Sequence, residues 1–157
     1  MKIRTFLALE LPQTVRNKLS AHTELISGYD KLQQIRWLPE ENYHLTLSFL
    51  GKVEYVLINS LKQKLEQILS SKQAVPFRFS EITPFPFSGT PKIAAAMLEY
   101  SDELMQLQHN TAKCVRAFGI SLERRRFTPH VTLGLLKPRS RKSLAFQPQQ
   151  IFLEGIS

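Results

Sequence analysis

Asn42-Tyr43-His44-Leu45-Thr46-Leu47-Ser48-Phe49-Leu50-Gly51 is answered later in the chain by Phe127-Thr128-Pro129-His130-Val131-Thr132-Leu133-Gly134. Both stretches alternate polar and apolar residues, so each reads as a strand whose histidine and threonine share one face. A single His-x-Thr on such a strand says little, because one histidine there is commonly a hydrogen-bonded structural residue. Two copies in matching contexts, each running into a glycine, point to a duplicated unit. That unit would bring two imidazoles and two hydroxyls to one cleft.

The residues around the two phrases fall into a simple order. Residues 3–11 form an apolar run ending at Pro12, expected to be a buried first strand. Pro12 then opens a helix with Val15, Leu19, His22 and Ile26 on one face, closed by Gly28. A short strand, Ile35 to Leu38, precedes the His44 strand, and a second helix follows with Ile58, Leu61, Leu65 and Ile68 as its stripe. Phe77 to Ile82 alternates as a strand, Thr83 to Pro91 is a proline-rich loop, and Lys92 to Glu99 reads as a strand. A third helix covers about 101–118, with Leu104, Leu107, Cys114 and Phe118 inward and Gly119 at its end. The His130 strand, a basic loop from Lys137 to Lys142 and an apolar segment from Ile151 to Ile156 complete the chain. The order is β-α-β-β-α-β and then β-α-β-β, an α+β arrangement with antiparallel or mixed sheets. One bilobal domain over residues 1–157 is expected.

Composition narrows the function classes. A net charge of +8 favours anionic partners, nucleic acid above all. The single cysteine, Cys114, excludes an intrachain disulfide and any cysteine-based metal cluster. The N-terminus lacks the pattern of a signal peptide, and no apolar run approaches the about 18 residues of a membrane span. A cytoplasmic monomer with no membrane association is expected.

Two histidines in one cleft can divide acid–base work. One neutral imidazole takes a proton from water while the other, protonated, gives one to a leaving oxygen. Phosphodiester cleavage needs that division, and the threonine hydroxyls can donate to non-bridging phosphate oxygens. Nearby arginines can absorb the remaining charge, so no metal is required and no cofactor is implied. With four histidines, two of them on helices, a zinc site is not expected.

At these residues the chain resembles the two-histidine phosphoesterases, and within them the bacterial and archaeal RNA 2′,3′-cyclic phosphodiesterases first described as 2′-5′ RNA ligases. The likeness begins with Arg4-Thr5-Phe6-Leu7-Ala8-Leu9 and Leu11-Pro12, continues through Ile35-Arg36-Trp37-Leu38-Pro39-Glu40-Glu41-Asn42, and closes with Phe127-Thr128-Pro129-His130. It implies two pseudo-symmetric lobes, each a sheet packed on helices, with both motif strands at the central cleft. It further implies metal-independent opening of a 2′,3′-cyclic phosphate at an RNA end, such as that of a tRNA half, to leave a 2′-phosphate. It also implies a reversible 2′-5′ RNA ligase activity. The 3′ oxygen is then the leaving group; His44 is assigned as the acid that protonates it and His130 as the base that activates water, and the exchanged assignment stays open at this point. Thr46 and Thr132 would bind the phosphate.

Two departures from the resemblance stand out. Relatives often carry a phosphate-contacting basic residue where this chain has Leu135, so another cation must serve; Arg126, Arg125 and Lys137 are nearest in sequence. Relatives also usually continue beyond the position of Ser157, so the last strand is expected to be cut short there.

The remaining polar and aromatic residues divide between core and site. Within Arg124-Arg125-Arg126, alternation would set Arg126 on the His130 face as a phosphate clamp. Lys137, Arg139, Arg141 and Lys142 would form a basic rim. His22 is expected in the core and His109 on a solvated helix face. Tyr43, Phe127 and Trp37 are expected to pack in the core, whereas Phe85 and Phe87 are free to reach a nucleobase. Two other functions stay open at this point: a basic RNA-binding module on the same fold, and a phosphoesterase acting on a small cyclic nucleotide. Retention of both histidines favours catalysis, because pure binding needs cations rather than titrating imidazoles.

Overall fold

The fold is that of a computed structural model, which describes residues 1–123 and 125–138 in full and 149–156 as backbone. Its elements follow the expected order: β1 (Lys2–Glu10), α1 (Gln13–Tyr29), β2 (Ile35–Trp37), a short 3-10 turn (Glu40–Asn42), β3 (His44–Glu54), α2 (Tyr55–Leu69), β4 (Pro76–Phe85), β5 (Ile93–Leu98), α3 (Asp102–Ala117), β6 (His130–Leu136) and β7 (Gln149–Ile156). Arg124, Arg139, Arg141, Lys142 and Ser157 lie outside the described residues.

All described strand pairs are antiparallel. The strands run β1-β3-β6-β5-β4-β7, with β2 also paired to β6. The two sheets expected from the duplication are therefore continuous at the centre, and a single described pair, Leu45 with Val131, joins them there. Both residues are essentially fully buried. The duplicated phrases thus meet at the middle residue of each.

The core explains the element boundaries. Helix α1 turns Val15, Leu19 and Ile26 into a cluster with Tyr43, Leu45, Val131 and Leu133. Helices α2 and α3 meet through Leu61, Leu65, Cys114 and Val115, together with Leu50 and Val53 of β3. Ser101 caps α3 by accepting from the Leu104 amide at 3.1 Å, and Asp102 and Glu103 in its first turn suit the positive end of the helix dipole. The Asp30 carboxylate accepts from the amides of Gln34 and Ile35 at 2.9 and 3.0 Å, which fixes the turn into β2.

Four expectations are corrected. β1 is an edge strand, paired only with β3 among the described residues and mostly exposed or half-buried rather than buried; an apolar run does not reveal which strand ends a sheet. On α1 the buried position is Thr23, whose hydroxyl lies 3.4 Å from that of Tyr43, and His22 is half-buried beside it. The helix also passes Gly28 to end at Tyr29. Strand β4 continues through Thr83, Pro84 and Phe85 where a loop was expected. Its described pairing with β7 stops at Ile82, so the missing amide of Pro84 interrupts no described ladder on that side.

Candidate active site

The Leu45–Val131 pair places the chemistry. With these two side chains in the core, His44, Thr46, His130 and Thr132 turn to the opposite face, and all four are half-buried. Continued along both strands, the register sets His44 opposite Thr132 and Thr46 opposite His130. On the outer sides, Glu10 and Ala8 of β1 pair with His44 and Thr46, while Met97 and Ala95 of β5 pair with His130 and Thr132.

The two histidines differ in surroundings. His130 Nδ1 lies 2.7 Å from the carbonyl oxygen of Thr128. A carbonyl can only accept, so Nδ1 carries the proton of the neutral ring and Nε2 keeps a free lone pair. Burial lowers the His130 pKa, and the Thr128 bond offsets this only in part. The ring is therefore a neutral base at pH 7. His44 has no side-chain hydrogen bond among the described residues; instead it stacks on Phe6, with ring centroids 4.9 Å apart and planes 21° apart. Phe85 lies over His130 in turn, at 4.6 Å. Each imidazole thus has its own phenylalanine.

A hollow opens on each of these rings. One, of about 490 Å³, is lined by Thr46 and His130 together with Phe49, Phe85, Arg116 and Arg126. The other, of about 570 Å³, is lined by His44 with Phe6, Glu10, Arg16, Glu41 and Tyr43. Thr132 lines neither. Arg126 reaches the first hollow although residues 125–129 are not a strand, so sequence alternation was the wrong reason for its placement. Its guanidinium lies over the Tyr100 ring at 5.3 Å. Arg125 pairs with Glu123 at 3.3 Å on the open surface, a geometry that contributes little stability in water.

Several aromatic expectations hold. Tyr43 is buried, Trp37 and Phe127 pack against the core, and Phe85 reaches the site. Phe87 is exposed and meets Phe85 edge-on. His109 is exposed as expected, yet it lines the first hollow. Phe6 and Phe49 were missed. Their rings lie 6.4 Å apart and both are substantially exposed beside His44. The available signal was an aromatic on a strand that pairs with the first motif, legible only once that pairing is known. Among the described residues no group of three or more histidine, cysteine or acidic side chains is arranged to hold a metal ion.

Two adjacent His-x-Thr strands in one antiparallel sheet, with their histidines and threonines on one face, are the arrangement of a two-histidine phosphoesterase. The family model for LigT-like phosphoesterases matches residues 9–93, and the chain belongs to that family. It is 30% identical over 137 residues to the RNA 2′,3′-cyclic phosphodiesterase of Thermotoga maritima, covering 86% of this chain and 71% of the relative. To the protein of the same name from Bacillus subtilis it is 27% identical over 131 residues, covering 82% and 69%. Among solved structures, TT0787 of Thermus thermophilus superposes with a TM-score of 0.78 at 25% identity, over 98% of this chain and 84% of that one. E. coli LigT in complex with 3′-AMP superposes at 0.77 and 19% identity, over 99% and 84%, a likeness of fold. No helix among the described residues is long and apolar enough to cross a membrane.

Proposed function

We propose that the protein opens RNA 2′,3′-cyclic phosphates to 2′-phosphates without a metal ion. The observation that carries this reading is the Leu45–Val131 pair, because it turns both imidazoles to one face of one sheet. His130 Nε2 takes a proton from water, and the water oxygen forms a bond to phosphorus. The bond from phosphorus to the 3′ oxygen breaks, and His44 gives that oxygen its proton. Thr46, Thr132 and Arg126 hold the non-bridging oxygens as charge builds on them. With the 5′ hydroxyl of a second RNA end in place of water, the same steps with the same roles form a bond from that oxygen to phosphorus and break the bond to the 3′ oxygen, leaving a 2′-5′ phosphodiester, which is ligation.

The choice of RNA rests on the names of the relatives, on the net charge of +8 and on the exposed rings of Phe6 and Phe49, which offer a base a stacking surface. The test is incubation of the purified protein with an oligoribonucleotide ending in a 2′,3′-cyclic phosphate, alongside the matching mononucleotide. Opening of the oligonucleotide end supports the reading. Turnover of the mononucleotide alone moves the substrate class to small cyclic nucleotides, and turnover of neither contradicts the proposal.

A further inference from the structure

The strand β2 brings one cation, Arg36, to the sheet that carries the two histidines, and the register shows where it stands. Leu135 is the cross-strand partner of Arg36 in β2. The next pair along, Ile35 with Leu136, is buried in the core with Ala94. Alternation therefore turns Arg36 and Leu135 to the opposite face. The same row continues from Leu135 to Ile93 and from Ile93 to Phe85, and Phe85 is the ring that lies over His130. Arg36 is thus on the catalytic face.

It is also on the correct side of the cleft. β5 occupies one edge of β6, and β3 and β2 share the other: β3 at Val131, β2 from Gly134 to Leu136. The Leu38 amide donates to the Leu133 carbonyl at 2.9 Å and continues that edge. β6 carries one extra residue between Thr132 and Gly134, which pair with the neighbouring Ala95 and Ala94, so Leu135 faces the same side as Thr132. Arg36 therefore stands on the His44 side of β6, at a distance from the level of Thr132 that β5 spans in two residues, Ala95 to Ile93, or about 7 Å at strand rise. Arginine's long side chain lets its charged head approach a phosphate held over Thr132. Arg36 is exposed and makes no hydrogen bond or ion pair among the described residues, whereas Arg125 is paired with Glu123 and Arg126 lies on Tyr100.

We propose that Arg36 is a phosphate-binding residue of this site, presenting its guanidinium to the catalytic face across the β2–β6 pair. The planar fork suits two phosphate oxygens at once, and the Asp30-locked turn holds β2 in place for it. The proposal rests on the reading of the His44–His130 cleft as a phosphodiester site.

The test measures the affinity of the full chain for inorganic phosphate and for a nucleoside 2′-phosphate by calorimetry, in wild type, Arg36→Gln, Arg36→Lys, Leu135→Arg and the double variant Arg36→Gln/Leu135→Arg. A charge control, Lys62→Gln, removes a cation from the exposed side of α2. Expected is a loss of about tenfold in Arg36→Gln, a partial loss in Arg36→Lys, and recovery in the double variant. Lys62→Gln should bind as wild type. Wild-type affinity in Arg36→Gln overturns the proposal. So does an equal loss in Lys62→Gln, or a Leu135→Arg gain that is the same with and without Arg36, since independent sites add. These are binding readouts, so they decide the role of Arg36 even if the cyclic-phosphate activity itself were not found.

Discussion

Leu45 and Val131, the middle residues of the two His-x-Thr phrases, are cross-strand partners in the buried centre of the sheet. The pair is the axis of the candidate site: the residues on either side of each member are the histidines and threonines that the proposed mechanism uses, and the pair itself is pure core. Stability and geometry therefore depend on the same two side chains. Leu45→Ala should cost about 2–5 kcal/mol, measured by urea unfolding. It should also lower kcat at temperatures where the variant remains folded, because the two imidazoles lose their common register. Unchanged turnover in a destabilised variant would separate the pair from the chemistry.

In the proposed mechanism the environment of His130 sets the pH profile. It acts as a base only when neutral, and burial holds its pKa below the ordinary 6.5. The acidic limb of kcat/KM in the free enzyme should therefore lie below pH 6.5. Stability carries the same sign. The unfolded chain takes up this proton first, so the contribution of His130 is complete above pH 6.5 and is lost as pH falls from there towards the folded value. His130→Gln should remove that part of the pH dependence in thermal melts between pH 7 and pH 5. A steeper loss in the variant would contradict the assignment.

Gly134 marks where β2 closes on β6. A Cβ at this position would lie 2.6 Å from Ile35 Cγ2 and 3.0 Å from Trp37 Cε3, so these β2 side chains or the strand itself must shift. Gly134→Ala should destabilise by about 1–3 kcal/mol. Because the shift falls on the strand that carries Arg36, it should also raise KM more than it lowers kcat. Calorimetry and steady-state kinetics on the one variant check both effects.

Two imidazoles, two hydroxyls and arginine supply every proton and hydrogen bond that the proposed cleavage needs. Turnover should therefore be unchanged after dialysis against EDTA and unaffected by added magnesium. Loss of activity on chelation, restored by one metal, would rule out the two-histidine mechanism as drawn.

Much of this was legible in the chain. The period of two around His44 and His130 placed the histidines and threonines on one face, and the helical stripes marked by Leu19, Leu61 and Leu104 recovered the element order. Periodicity reports which way a side chain points on its own strand but nothing about the neighbouring strand. For that reason β1 was expected to be buried, Phe6 was not linked to His44, and cations for the phosphate were sought near Leu135 in sequence when Arg36 was its partner in space. Thr23 took the core position expected of His22 because the buried hydroxyl of Tyr43 faces α1 there.

The most direct measurement is the position of the phosphate in the product, read by phosphorus NMR after an oligoribonucleotide with a 2′,3′-cyclic phosphate end is treated with wild type, His44→Ala and His130→Ala. The account predicts a 2′-phosphate alone from the wild type, with rates lower by about 10²–10⁴ in each variant whose circular dichroism is unchanged. A 3′-phosphate or a mixture of the two, or a folded His44→Ala or His130→Ala enzyme as fast as wild type, would contradict the division of labour between the two histidines.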